Sequence, residues 1–401
     1  MNISKRGQDI QPSPIRKLKP YADKAKERGI HIYHLNIGQP DIPTPQPVLK
    51  AFQSYDEKVL SYGPAQGFLE LRKAIADYYN FYRIPINAEN VIVTIGGSEA
   101  IHFSFSVVAD PGEEIIIPEP FYTNYNGYAA FADVKISPLT LSIEDGFRLP
   151  PQKDIEERIS AETRAILLCS PNNPTGTVYA AEELERVVDL VEKHDLFLIG
   201  DEVYKEFVYD GQKHKSVLEY EEIKDRVIVV DSISKRFSCC GARIGAVITR
   251  NDDVYQALLK FAQARLCPPS IEQEAALAAY LMSKDYFDEV KAEYQKRRDI
   301  LYEGIRDIPG IVIHKPQGAF YIIVRLPIED CEHFVKWMLT DFHLDKETVM
   351  VAPARGFYSS PDKGQDEVRI AYVLKEEDLK RAIEVFKAGL QKYLTLFSES
   401  I

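Results

Sequence analysis

The chain is short of the features that would place it in several functional classes. Its five cysteines are an odd number with no CxxC pair, so neither a disulfide framework nor a metal site of the zinc type is indicated. Cys169, Cys239, Cys240, Cys267 and Cys331 are read as reduced thiols. No apolar run approaches the roughly 18 residues that a bilayer span needs. The opening MNISKRGQDIQPSPIRKLKPY lacks the apolar stretch of a signal peptide, and a cytoplasmic location is expected. Positive charge is in deficit: 49 Lys and Arg against 61 Asp and Glu give a net charge of −12. That removes the electrostatic basis for binding nucleic acid or an anionic membrane, so basic residues must act singly, in pockets. Internal repeats and low-complexity tracts are lacking too.

What is present is enough to fold. With 401 residues, 45% hydrophobic and 27% charged, the chain exceeds the size at which one core usually keeps growing, and two domains are expected. From about residue 91, short apolar runs alternate with helical patterns, as in a largely parallel sheet covered by helices. The candidate strands are 91–95, 114–118, 164–169, 196–201, 226–232 and 243–249. In residues 181–194, Leu184, Val187, Val188 and Val191 share one helical face, which should cover the sheet. The rest is richer in helix. Patterns at 252–264, 270–282 and 285–307 lead to strands at 318–326, 349–353 and 366–374 and a last helix from Lys375 to about Tyr393, suggesting a smaller α+β domain. QPDIPTPQP, with Pro40, Pro43, Pro45 and Pro47, reads as an extended arm.

Ligands of doubly wound sheets bind outside the carboxyl ends of the strands, so the residues after each run carry the functional information. TIGGSEA follows the first strand. Its glycines allow a close backbone approach to an oxyanion at a helix N-terminus, or else it is an ordinary turn with Ser98 as N-cap. SPNNPTG follows the third and is made of turn formers. GDEVY ends the fourth strand on Asp201, a buried acid that is costly without a positive partner. A helix cap, a structural ion pair or a protonated pyridine nitrogen would each explain it. DSISKRFSCCGARIG carries Lys235 among Ser232, Ser234 and Ser238, with Arg243 eight residues on. A lysine there is either an ordinary solvated surface residue or, at a strand-end crevice, a neutral nucleophile toward an aldehyde, and an arginine fork suits phosphate. In DEVRIAY, Arg369 lies mid-strand between apolar neighbours and wants a buried anion, either a substrate carboxylate or an Asp or Glu.

Taken together and in this order, NIGQPD, YGPAQG, GGSEA, PFY, PNNPTG, DEVY, SISK, the arginine after it and VRIAY resemble the class I and II aminotransferases of the pyridoxal-phosphate (PLP) fold-type I superfamily. The resemblance runs from about Pro20 to the end and is nearest to the bacterial aspartate aminotransferases. It implies an α/β fold with a mostly parallel seven-stranded sheet in a large PLP-binding domain (47–290) and a smaller α+β domain (291–401), residues 1–46 forming an arm and part of the small domain. It further implies Lys235 as the Schiff-base lysine and proton carrier, Asp201 as partner of the ring nitrogen, and Asn173 and Tyr204 as donors to the phenolic oxygen. Gly97, Ser98, Ser232 and Arg243 match the phosphate cup, and Tyr122 the aromatic on the ring face. Arg369 matches the clamp on the substrate α-carboxylate, aided by Asn173 and the Gly38 backbone. Tyr62 matches a residue that reaches the phosphate of a neighbouring subunit, which implies a homodimer. The implied activity is ping-pong transfer of an amino group from an α-amino acid to a 2-oxo acid such as 2-oxoglutarate.

One departure concerns the substrate side chain. Where the aspartate-specific pattern has a lysine after the second glycine of GG, this chain has Ser98. Arg16, Arg265 and Arg355 are spare cations that could replace it or be structural. Residues 267–269 and 352–360 are expected to line the entrance. Tyr125 and Phe131, within the tyrosine-rich 122–131, read as core, and the aromatic character of this stretch keeps aromatic or aliphatic substrates open beside aspartate. The same site residues also serve PLP-dependent carbon–sulfur β-lyases, and a regulatory protein that binds PLP without turnover is a further alternative.

Overall fold

The computed structural model describes residues 2–10 and 13–397. Its strands are β1 (His31–His34), β2 (Val91–Thr94), β3 (Glu114–Glu119), β4 (Lys135–Thr140), β5 (Thr163–Cys169), β6 (Phe197–Asp201), β7 (Val227–Ser232), β8 (Gly245–Thr249), β9 (Val312–Ile313), β10 (Tyr321–Arg325), β11 (Glu347–Met350), β12 (Ala352–Pro353) and β13 (Glu367–Ala371). Seven of them form one sheet in the order β2-β8-β7-β6-β5-β3-β4. Every neighbouring pair is parallel except the two that β8 makes, with β2 and with β7. The fold is therefore the expected α/β one, with a mostly parallel seven-stranded sheet.

The apolar runs are nearly continuous because both faces of this sheet are covered. Successive side chains point to opposite faces. Ile166, Leu168, Val227 and Val229 enter one core layer, with Leu184, Val187, Val188, Leu190 and Val191 of the helix Ala181–Lys193 above them. Ala165, Leu167, Ile228 and Val230 enter the other, under the helices Gly96–Val108 and Asp252–Arg265. Each buried aliphatic side chain contributes about 1.5–3 kcal/mol of transfer free energy, which is why the run of β-branched residues at 227–230 is stable only as a central strand.

Three strands were not foreseen: β4, β1 and the two-residue β9, which exists only by pairing with β10. β4 carries Pro138, which argues against a central strand, but β4 is the outermost strand and pairs only with β3, where a missing N–H is tolerated. β1 is too short and polar to stand out alone, and it forms by pairing in parallel with β11, from His31↔Glu347 to His34↔Met350. A separate antiparallel sheet runs β12-β13-β10-β9. Its core collects Ile322, Val324, Val368 and Ile370 with Phe334 and Met338 of the helix Cys331–Thr340 and Leu379, Val385 and Phe386 of the helix Glu376–Phe397. All five cysteines are free. Among the described residues no helix is long and apolar enough to cross a membrane.

Topology concentrates the chemistry. Because β8 runs opposite to its neighbours, its first residue, Gly245, lies beside the last residues of β2 and β7, in the pairs Thr94↔Gly245 and Ser232↔Gly245. Cys169 and Asp201, the ends of β5 and β6, are register partners beside them. Four strand ends and one strand start thus open on the same crevice.

Candidate active site

A cavity of about 660 Å³ occupies that crevice. Its walls include Gly38, Gly97, Ser98, Tyr122, Asn173, Asp201, Tyr204, Ser232, Lys235, Arg243 and Arg369. Every residue given a catalytic, cofactor or substrate role from the sequence borders it except Tyr62, which is 81% exposed and does not border the cavity of its own chain.

Lys235 stands on a four-residue helix, Ile233–Arg236, capped by Ser232, whose Oγ accepts from Ser234 N at 3.1 Å. Lys235 Nζ donates to the Gly38 carbonyl at 2.8 Å and lies 3.8 Å from Cys240 Sγ. Gly38 has no room for a side chain, since a Cβ there would fall 1.7 Å from Tyr321 Oη. Next to the lysine, Arg236 is ion-paired with Asp231, both fully buried, and Tyr79 Oη donates to the same acid at 3.0 Å. This pair ties the short helix to the end of β7.

Asp201 is 6% exposed. Tyr125 Oη donates to its Oδ2 at 2.6 Å, and Val203 N to its Oδ1 at 3.4 Å. Burial nevertheless pushes the acid up to about 6, only partly offset by those two hydrogen bonds. Among the described residues it has no cationic partner within ion-pair distance. Tyr125 is buried as expected, but its hydroxyl belongs to the site. Phe131 corrects the reading as core: it is 53% exposed.

The helix that follows β2 begins at Gly96, three residues earlier than a Ser98 cap would require. Gly97 and Ser98 therefore lie in its first turn, whose N–H groups have no intrahelical partner. Gly96 has φ +73°, and a Cβ on it would sit 2.4 Å from Arg243 Nη2, so the arginine packs flat against the glycine turn.

Arg369, on β13, reaches the cavity from the antiparallel sheet and is 2% exposed. Its Nη1 donates to Asn173 Oδ1 at 2.9 Å and its Nη2 to the Asn36 carbonyl at 2.6 Å. The rings of Tyr321 and Phe357 flank its guanidinium at 4.5 and 4.8 Å. No acid pairs with it among the described residues, and its Nε is buried without a partner. Burial lowers its pKa. Tyr204 Oη lies 2.9 Å from Tyr321 Oη, and burial raises the Tyr204 pKa well above the usual phenol range.

The chain matches the family model "Aminotransferase class I and II" over residues 30–386. It belongs to the class I and II aminotransferases. It is 34% identical over 384 residues to the aspartate aminotransferase of Sulfurisphaera tokodaii, covering 92% of each chain. A double mutant of the Thermus thermophilus aspartate aminotransferase superposes with a TM-score of 0.88 at 29% identity, over 97% of this chain and 100% of that one. The alanine aminotransferase of Pyrococcus furiosus does so with 0.89 at 30%, over 98% and 100%. The protein is thus a PLP-dependent transaminase acting on amino acids and 2-oxo acids.

This aminotransferase has a donor set that fits the cofactor. A buried acid without a countercharge suits a protonated ring nitrogen, and a glycine turn backed by an arginine suits a phosphate. A buried guanidinium with an orphaned Nε suits a carboxylate. Sequence reasoning did not single out Tyr321, Asn36 or Cys240. Asn36 stood within reach, two residues before Gly38, but nothing local marks its carbonyl as the partner of a residue 333 positions away. Of the expected entrance segments, neither 267–269 nor 352–360 lines the cavity, although Ala352 pairs with Arg369 between β12 and β13 and the Phe357 ring flanks the same arginine. Among the three spare cations, Arg265 is held by Glu99 at 3.3 Å and by the carbonyls of Ala65 and Val93. Arg355 turns to the carbonyls of Tyr358 and Ser360. Arg16 reaches the cavity.

Proposed function

We propose that this aminotransferase takes the amino group of an acidic α-amino acid, aspartate foremost, and passes it to a 2-oxo acid such as 2-oxoglutarate in a ping-pong cycle. PLP supplies an aldehyde that captures amines and a ring that withdraws electrons from the substrate α-carbon. Lys235 Nζ would hold the cofactor aldehyde at rest and would carry the proton at the substrate α-carbon. Asp201, oriented by Tyr125, keeps a proton on the ring nitrogen. Asn173 and Tyr204 would hold the phenolic oxygen, and Tyr122 would pack on the ring. The phosphate is held by Gly97, Ser98, Ser232 and Arg243, joined by Tyr62 of a second copy in a homodimer. Arg369 grips the substrate α-carboxylate, with Asn173 and the Gly38 backbone beside it.

The observation that carries this reading is that one cavity holds an amine, Lys235, together with an acid that lacks a cation and a guanidinium that lacks an anion among the described residues. In the same reading, residues 47–290 form the cofactor domain, residues 291–401 the small domain and residues 1–46 the arm and part of the latter, and the enzyme is cytoplasmic.

A spectrophotometric half-reaction screen of the holoenzyme with aspartate, glutamate, alanine and aromatic amino acids tests it. Aspartate should convert the cofactor fastest, and Lys235→Ala should abolish both the Schiff-base colour and turnover. Pyruvate released from cysteine conjugates without an oxo-acid acceptor would instead indicate a carbon–sulfur lyase. Lysine-dependent colour without any turnover would indicate a regulatory protein.

A further inference from the structure

The charged groups of the cavity do not balance once the proposed roles are filled. Its walls carry four cations, Arg16, Lys235, Arg243 and Arg369, and one acid, Asp201. In the reading above, Arg243 answers the phosphate, Arg369 the α-carboxylate and Asp201 the ring nitrogen. Arg16 is left without an anion, and no ion pair or side-chain hydrogen bond engages its guanidinium among the described residues.

Its mounting locates it. Arg16 sits in a turn closed by Arg16 N to Ser13 O at 3.1 Å and Lys19 N to the Arg16 carbonyl at 3.0 Å. Ile15, just before it, packs on the core layer that includes Ala354 and Phe357, and Leu18, just after, is buried in the core of the antiparallel sheet. Pro14 presses so closely on Gly356 that a Cβ there would meet Pro14 Cβ at 2.3 Å. The next residue, Phe357, is the ring that flanks Arg369. The segment bearing Arg16 is therefore anchored on the Arg369 side of the cavity, whereas Arg243 lies against the glycine turn at Gly96.

We propose that Arg16 receives a second anionic group on the substrate side chain, so that the preferred substrates are dicarboxylic amino acids and the corresponding 2-oxo diacids. The inference rests on the reading of Arg369 as the α-carboxylate clamp. It explains how the chain dispenses with a lysine at position 98: the distal charge is met from the N-terminal segment. An arginine offers a planar two-pronged donor that matches a carboxylate, which a serine hydroxyl does not.

The test uses the holoenzyme, with Arg16→Gln, Arg16→Lys and, as a control for diffuse charge, Lys17→Gln. Lys17 is paired with Glu332 and does not line the cavity. Maleate binding is measured by titration calorimetry, and half-reaction rates are measured with aspartate and with alanine. Arg16→Gln should weaken maleate about 10- to 100-fold and lower the aspartate-to-alanine preference by a similar factor, the span of a lost charge-assisted hydrogen bond. Arg16→Lys should recover part of the loss, and Lys17→Gln should change neither quantity. Equal losses for aspartate and alanine, or unchanged maleate affinity, would overturn the role of Arg16. A wild-type holoenzyme that binds maleate through Arg16 but transaminates none of the amino acids would leave that role standing and refute the proposed reaction.

Discussion

Replacing Asp201 by Asn should stabilise the cofactor-free protein while crippling the enzyme. The acid is held at about 6 in the folded chain against 3.8 in the unfolded one. Between those values the folded state binds more protons than the unfolded state, so stability falls as pH rises through that window. The accumulated penalty is about 1–2 kcal/mol at pH 5 and about 3 kcal/mol at pH 7, where it levels off. Asparagine keeps an oxygen to accept from Tyr125 Oη and never ionises, so it escapes this penalty. Urea unfolding of the stripped wild type and Asp201→Asn at pH 5 and pH 7 measures the difference. The variant should be the more stable at both, by about 1–2 kcal/mol more at pH 7 than at pH 5. Adding PLP should narrow or reverse the order, because a protonated ring nitrogen supplies the countercharge only to the acid. The half-reaction rate should fall by about 100-fold or more in the variant. A variant less stable than wild type at pH 7, or a difference independent of pH, would refute the reading of Asp201 as a buried acid awaiting a cation.

Arg369→Gln should raise the KM for the amino acid about 10- to 100-fold without removing the Schiff-base absorbance, since it strips the carboxylate fork but not the lysine. Steady-state kinetics with a full absorbance spectrum checks both. Tyr62→Phe should weaken PLP binding about 5- to 10-fold in equilibrium dialysis, and unchanged affinity would remove Tyr62 from the phosphate site. Arg236→Ala strands the buried Asp231 beneath Lys235 and should cost about 3–5 kcal/mol in urea unfolding, with a loss under about 1 kcal/mol counting against the pair as a clamp.

Much of the architecture could be read locally. The central strands announce themselves because both faces are buried, which demands unbroken apolar runs such as 227–230. The edge strand β4 and the short β1 do not, because an edge tolerates Pro138 and β1 depends on β11, more than 300 residues away. Polar residues at the ends of apolar runs were legible for the same reason that strands were: Asp201 and Arg369 violate the apolar pattern around them, and a buried charge without a local partner points to a ligand. Phe131 and Tyr125 were not separable by pattern, as both are aromatic residues on one short helix, Asn124–Ala132, one turned outward and one placing its hydroxyl on Asp201.

The amino-acid sequence by itself determined which groups are available for the chemistry: an amine at 235, an acid at 201, guanidinium groups at 243 and 369, and a glycine turn at 96–97. These follow from single residues and their immediate neighbours. Only the tertiary structure decided which of them meet and which spare cation joins them. Arg265 and Arg355 are spent on nearby carbonyls and, for Arg265, on Glu99. Arg16 is carried into the cavity because Pro14 packs on Gly356. For Arg16 and Arg265 the choice depends on contacts between segments hundreds of residues apart, where packing sets the distance between a charge and its site.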